Sequence, residues 1–471
     1  MGSEEKKELT AGEQLKKDLI MDPKGSGMDM SEEQIAKAME FGEGYKAFLD
    51  AAKTEREAVA YAVKALEKNG YVPFDPKKCY KAGDKVYVNN RGKALLFAAI
   101  GRRPLSEGAN ILASHIDSPR IDLKPRPLYE EAQLAMFKTH YYGGIRKYQW
   151  VALPLALHGV VVKKDGEAVT VAIGEEPGDP VFCINDLLPH LAKDQNQRKL
   201  NEGVKGEELN VLVGSLPFRD DKVSEKVKLN VIKLLNEKYG FVEGDFLSAE
   251  LMLVPAHKAR DVGFDRSMIG SYGHDDRVCA YTALMASMDT PAPETTWINI
   301  LADKEEVGSD GNTGLGSTFL EYFMLDLAEA QGVSGRDALR NSRCLSADVS
   351  AAFDPTFPEV NEKKNTAYIG YGACVMKYSG SGGKSSTSDA SAELMGYIRT
   401  LFDKKDIHWQ VAELGKVDHG GGGTVAKFIA NLGVDVVDIG VPVLSMHAPF
   451  EVVSKLDVYS AYLADRAFIA G

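Results

Sequence analysis

The stretch Trp297-Ile298-Asn299-Ile300-Leu301-Ala302-Asp303-Lys304-Glu305-Glu306-Val307-Gly308 runs from a short apolar segment straight into a cluster of acids. A brief apolar run rich in β-branched and aromatic residues reads as a buried strand ending near Ala302. Successive side chains on a strand point to opposite faces, so Glu305 and Glu306 can serve one centre only where the strand gives way to a loop. Adjacent glutamates at such a strand end suggest a base beside a metal ligand.

Four further segments present His or Asp at the end of a short apolar run: Ile111-Leu112-Ala113-Ser114-His115-Ile116-Asp117, Gly273-His274-Asp275-Asp276-Arg277, Cys344-Leu345-Ser346-Ala347-Asp348 and Val443-Leu444-Ser445-Met446-His447. In an open α/β sheet, ligands collect in the crevice beyond the carboxyl ends of the strands, so these ends can furnish one site. Imidazole and carboxylate without a nearby thiolate suit Zn²⁺, Mn²⁺ or Co²⁺ better than an iron–sulfur or structural zinc site. A two-metal hydrolase needs a bridging carboxylate, terminal ligands on each ion and a free base, and the chain offers all of them. Each piece alone has a plainer reading: His115 and Asp117 as a structural pair, Asp275-Asp276 as the cap of a helix beginning at Arg277, His447 as a buried, hydrogen-bonded imidazole. Their joint occurrence is what points to a metal centre.

At 471 residues the chain exceeds one typical core, which predicts two domains, one of them inserted in the other. Hydrophobic residues make up 44% and charged residues 26%, the composition of an ordered globular protein. The formal charge of −12 argues against nucleic-acid and anionic-membrane partners. No apolar run is long enough to span a bilayer and the opening Met1–Leu9 is charged, so a cytoplasmic protein is expected. Five scattered cysteines (79, 183, 279, 344, 374) form no Cys-x-x-Cys pair and read as reduced, mostly buried thiols.

From Thr10 to about Asn69 the pattern is helical, with Ser31 as a candidate N-cap, and strands follow at Lys93–Ile100 and Ala109–Ala113. The stretch 121–246 is β-rich, with two arms around an Asp-Gly turn within Gly159–Val171, and includes a polar segment from Lys193 to Lys228. It holds none of the candidate site residues at strand ends. It is therefore expected to be an inserted domain (121–249) within a catalytic domain formed by 1–120 and 250–471. After Leu251 helices and strands alternate, which predicts an α/β layered fold.

Three other chemistries fail on spacing. Gly382-Gly383-Lys384-Ser385 resembles the end of a phosphate loop, but the required first glycine falls at Tyr378. His419-Gly420-Gly421-Gly422 looks like an esterase oxyanion strip, yet no Gly-x-Ser-x-Gly elbow exists. His-Glu-x-x-His is also absent. The glycines 420–423 form either a tight turn into a helix near Thr424 or a row of N–H groups, with Gly421 and Gly422 able to bind an oxyanion or a substrate carboxylate.

The set His115-x-Asp117-Ser118-Pro119, Asp275-Asp276, Asp303-x-Glu305-Glu306-Val307-Gly308-Ser309, Ser346-Ala347-Asp348 and Met446-His447 resembles, in order and along nearly the whole chain, the aspartyl aminopeptidase family of dinuclear zinc peptidases. The resemblance implies an α/β/α metallopeptidase domain with an inserted β-rich dimerisation domain. It also implies two Zn²⁺ per chain, with Co²⁺ or Mn²⁺ as substitutes, and hydrolysis of N-terminal residues, acidic ones included, by a metal-bridging water. His115, Asp275, Glu306, Asp348 and His447 match the metal positions, with Asp275 as the bridge; Glu305 matches the general base and Asp117 the orienting carboxylate. Expected partners are peptide substrates and further copies of the chain, in a tetrahedral dodecamer built from dimers. A related metal-dependent carboxypeptidase or deacylase is the alternative enzyme, and a catalytically silent scaffold the non-enzymatic one.

The departures concern substrate choice. His190, in Phe182–Leu191, matches a histidine that reaches a neighbouring subunit's site, but its flanks differ from the family pattern. The segment Tyr378–Lys384 replaces the family's Asn-x-x-Gln-Arg-Tyr-Ala. Lys377 is the nearest match to the family's basic residue, with Lys384 as a second cation for an acidic substrate side chain.

Overall fold

In the computed structural model, which describes residues 9–21 and 23–471, Trp297–Ala302 is a strand with every residue buried. The charged opening Met1–Glu8 lies outside the described residues. Ile298, Ile300 and Ala302 enter one apolar cluster, while Trp297 and Leu301 enter another on the opposite face. A strand that is apolar on both faces requires a cover on each. Helices Glu32–Ala51, Glu55–Lys68, His274–Met288, Ala392–Lys404 and Lys455–Ala470 cover one side; Phe319–Ala330, Gly335–Arg340 and Ala426–Ala430 cover the other.

The strands that place the site are β1 (Ala94–Ala99), β2 (Asn110–His115), β3 (Trp297–Ala302), β4 (Arg343–Ala347) and β5 (Asp435–Gly440). The nine-stranded sheet runs Val72–Pro73, Lys85–Asn90, β1, β3, β2, β4, β5, Ala373–Met376, Trp409–Val411. Its centre, β3-β2-β4-β5, is parallel throughout, with Ala302 beside His115, Ser346 beside Ala113 and Ala347 beside Ile439. This register brings the carboxyl ends of β2, β3 and β4 to one level, so the residues just beyond each strand meet at one edge.

A second sheet of seven strands, all paired antiparallel, is built between Arg120 and Pro255 around its own apolar cluster. Its first strand, Arg120–Glu131, pairs with its last, Ala249–Pro255, so the chain leaves and re-enters the larger unit at one place. The strand Ala249–Pro255 continues past residue 249. Leu155–Val162 and Ala168–Ile173 form the hairpin read from the Asp-Gly turn.

A third sheet, Arg260–Val262, Met268–Ser271, Glu451–Ser454, Pro442–Leu444, Ser350–Ala351, has no counterpart in the sequence reading. Its strands have two to four residues, too few for alternation to show. The helical opening agrees with the sequence: among the described residues four helices occupy Ala11–Lys68, and the two longest are capped by Ser31 and Thr54, each with a complete capping box. The helix expected near Thr424 is the short Ala426–Ala430. No helix among the described residues is long and apolar enough to cross a membrane.

Helices His274–Met288 and Lys455–Ala470 are joined in the core by Thr282 Oγ1, which donates to Asp465 Oδ2 at 2.8 Å. Burial raises the Asp465 carboxyl from 3.8 to about 7, against the pull of that hydrogen bond. The folded state therefore holds this proton more tightly than the unfolded chain, and the residue's contribution to stability falls as pH rises from about 4 to 7. Asp465→Asn keeps the acceptor without the charge. Its thermal stability relative to the parent should improve between pH 5 and 8, by at most about 4 kcal/mol. A difference in melting temperature that does not change with pH would reject this ionisation.

A candidate two-metal centre

The strand β3 ends at Ala302, and two residues on, Lys304 adopts a left-handed backbone with φ of 72°, a conformation that costs a lysine about 1 kcal/mol or more. The single turn Glu305–Val307 follows. This reversal breaks the alternation of the strand and lets both glutamates face one centre, with His115, Glu305 and Glu306 offering atoms within 4.8 Å of one another.

Two other groups of three meet the same spacing: His115, Asp275 and Asp348, and Asp275, Glu306 and His447. Asp275 belongs to both. His115 Nε2 lies 3.1 Å from Asp275 Oδ1 and 3.7 Å from Asp348 Oδ1. On the other side, His447 Nε2 lies 3.1 Å from Asp275 Oδ2 and 3.5 Å from Glu306 Oε2. The two oxygens of one carboxylate thus face two different imidazoles. His115 ends β2 and Asp348 follows β4, whereas Asp275 and His447 follow strands of the third sheet.

The histidine tautomers suit cation binding. His115 Nδ1 is 3.0 Å from the Asp117 carbonyl and His447 Nδ1 is 3.0 Å from the Gly144 carbonyl, so each Nδ1 donates its proton there and Nε2 is left with a lone pair. His115 Nε2, Asp275 Oδ1 and Glu306 Oε1 are buried without a hydrogen-bond partner, and the 3.1 Å contact between the first two is too misaligned to be one. Orphaned buried atoms of these types are what a metal site requires. The electrostatics agree. Burial pushes the Glu305 carboxyl up to about 8, with His115 opposing and Asp348 and Asp275 reinforcing; Glu306 and Asp348 are raised as well. For Asp275, burial pushes upward, but the imidazoles of His115 and His447 beside its two oxygens outweigh it and hold the carboxyl below its ordinary range. Four carboxylates in one buried space repel one another unless cations compensate. The donor set therefore fits two divalent ions.

Asp117 accepts hydrogen bonds from the N–H groups of Glu305 (3.1 Å) and Glu306 (3.2 Å) and from the Tyr142 hydroxyl (2.7 Å). It fixes the turn that aims the two glutamates. Glu451 was not among the candidates from sequence, yet it is buried and accepts from His447 N at 2.7 Å and Asp275 N at 3.2 Å. It ties together the two loops that bring ligands from the third sheet, where Ser271 and Glu451 are register partners.

The centre opens into a cleft of about 510 Å³, whose lining includes Met376, Leu414, Phe428 and Met446. Gly421 and Gly422 line it, together with Gly423. Packing dictates Gly421 and its neighbour Gly420, since a Cβ would lie 2.1 Å from the Leu414 carbonyl oxygen at Gly420 and 1.8 Å from that of Gly380 at Gly421. At Gly422 and Gly423 no neighbour comes closer than 3.3 Å. The N–H groups of 421–423 have no backbone acceptor among the described residues.

The remaining candidates stand apart. Lys377 and Lys384 both pair with Asp389, at 2.5 and 3.0 Å, and neither lines the cleft. His190 lies in the exposed segment 185–191, also away from the cleft-lining residues.

The sequence profile of the aminopeptidase I zinc metalloprotease (M18) family matches residues 48–469. The chain belongs to this family. The aminopeptidase is 50% identical over 460 residues to a probable M18 family aminopeptidase 1 of Clostridium acetobutylicum, covering 96% of this chain and 99% of that one. It matches the crystal structure of aminopeptidase I from the same organism at 48% identity and a TM-score of 0.91, over 96% of this chain and 100% of the other. An M18 aminopeptidase structure from Thermotoga maritima matches at 44% identity and a TM-score of 0.90, over 95% and 99%. The fold, at 20% identity, is shared with a solved dodecamer of yeast mApe1, with a TM-score of 0.75 over 91% and 96% of the two chains. The aminopeptidase is thus a zinc metallopeptidase acting on peptide N-termini, and the mixed α/β expectation agrees with these structures.

Proposed function

We propose that the aminopeptidase works with two zinc ions, one held by His115, Asp275 and Asp348, the other by Asp275, Glu306 and His447, with Asp275 as the bridge. The observation that carries this reading is the presence of Asp275 in both ligand groups, one oxygen toward each imidazole. Two ions there would polarise the scissile carbonyl and acidify the attacking water. Glu305, whose Oε2 is 3.9 Å from His115 Nε2, takes the proton from that water and passes it to the leaving amine. Asp117 keeps Glu305 in place through its main chain and leaves the carboxylate free for the proton. Gly421 and Gly422 line the cleft, and their N–H groups, which have no backbone acceptor among the described residues, would serve as donors for the developing oxyanion or for a substrate carboxylate.

We further assign the seven-stranded unit to dimerisation and the dimers to a tetrahedral dodecamer. The exposed Leu187, Leu188 and Leu191 around His190 support this assignment, since apolar residues gathered on a surface favour a partner, and His190 there is free to reach a second copy's cleft. Five cysteines without disulfides suit the cytoplasm. Acetylating the amine of a peptide substrate tests the direction of attack. An aminopeptidase site should lose cleavage of the blocked peptide, whereas equal rates on free and acetylated peptides would reject the reading.

A further inference from the structure

Among the residues lining the cleft, Lys427 is the one lysine or arginine. It rises from the short helix Ala426–Ala430, whose Ala426 and Ile429 are buried in the core. The start of that helix is held by Thr424, which donates to Asp438 Oδ1 at 2.8 Å. The root of Lys427 is therefore fixed, while its side chain is only partly buried. Its ammonium has no carboxylate within ion-pair distance among the described residues; the neighbour it does have is the ring of Phe428, 4.7 Å from the ring centre. Lys377 and Lys384 differ, because Asp389 already neutralises both.

An unpaired cation in a cleft that Met376, Leu414 and Phe428 also line is a selective feature. Much of the wall favours uncharged groups, and one point of it favours an anion. A peptide entering an aminopeptidase cleft carries two kinds of carboxylate: the side chain of an acidic first residue and the terminal carboxylate of a very short chain. Both have the same chemistry and both can pair with a lysine.

On the aminopeptidase reading above, we propose that Lys427 is the carboxylate-reading residue of the cleft. It meets an anionic group of the substrate and thereby raises the rate on carboxylate-bearing peptides relative to neutral ones. The test compares the zinc-loaded full chain with Lys427→Met and Lys427→Arg on Leu-Gly-amide, Leu-Gly and Asp-Gly-amide. Lys427→Met should lose at least about tenfold more kcat/KM on one or both carboxylate substrates than on Leu-Gly-amide, and Lys427→Arg should restore most of the difference. Selective loss on Leu-Gly identifies the terminal carboxylate as the partner; selective loss on Asp-Gly-amide identifies the first side chain. Equal loss on all three, or none, overturns the proposal. Turnover of Leu-Gly-amide by the unaltered enzyme reports on the aminopeptidase reading itself, so the two failures are distinguishable.

Discussion

Replacing Glu305 by Gln should lower kcat by roughly 10²–10⁴-fold while the chain keeps its zinc. The substitution retains the size of the side chain and removes its ability to take up a proton. The position of residue 305 depends on its main-chain N–H, which Asp117 accepts at 3.1 Å, so the turn should survive the change. Neither ligand group that contains Asp275 includes Glu305. Elemental analysis alongside single-turnover kinetics separates the possibilities. If zinc content falls in step with activity, Glu305 is a ligand and another group is the base; near-normal turnover would remove it from the mechanism.

The second large effect is expected at Asp275. Asparagine offers one carbonyl oxygen where aspartate offers two, and it carries no charge, so a residue common to both ligand groups cannot serve both after the change. Zinc content should fall below one ion per chain after dialysis, with activity lost in proportion. Even supporting residues around metal ligands typically contribute 10–100-fold in affinity, so the effect of losing a shared ligand should exceed about 100-fold. His447→Ala, by contrast, removes a ligand from one group only and should leave close to one ion. Two ions per chain in Asp275→Asn would sink the bridging role.

Much of the centre was legible in the sequence because strand ends in a parallel sheet have a simple signature. His115, Asp348 and the Glu305-Glu306 pair each follow a run buried on both faces, and the register of β2, β3 and β4 brings those runs to one level. Asp275 and His447 also stand out in the sequence at the ends of short apolar runs, although the small sheet that carries them does not. Its strands have two to four residues and lack a readable period. Glu451 escaped for the same reason: its importance lies in accepting two N–H groups across that small sheet, and no local pattern distinguishes it from a surface glutamate. The basic residues show the converse problem. Lys377 and Lys384 are conspicuous in a glycine-rich segment, but only the folded chain reveals that Asp389 holds both and that Lys427 lines the cleft.

The inserted sheet reaches further into the chemistry than its place in the chain implies. Tyr142, the last residue of its strand Leu134–Tyr142, donates to Asp117, and Gly144 just beyond accepts from His447. Excising 121–249 and splicing the ends would therefore deprive the orienting acid of its phenol and one imidazole of its anchor. The two parts of this enzyme are not interchangeable modules: the larger unit grafted onto a different inserted sheet would keep the candidate ligand groups without the contacts that hold two of the site's side chains. A swapped unit must bring its own equivalents of Tyr142 and Gly144.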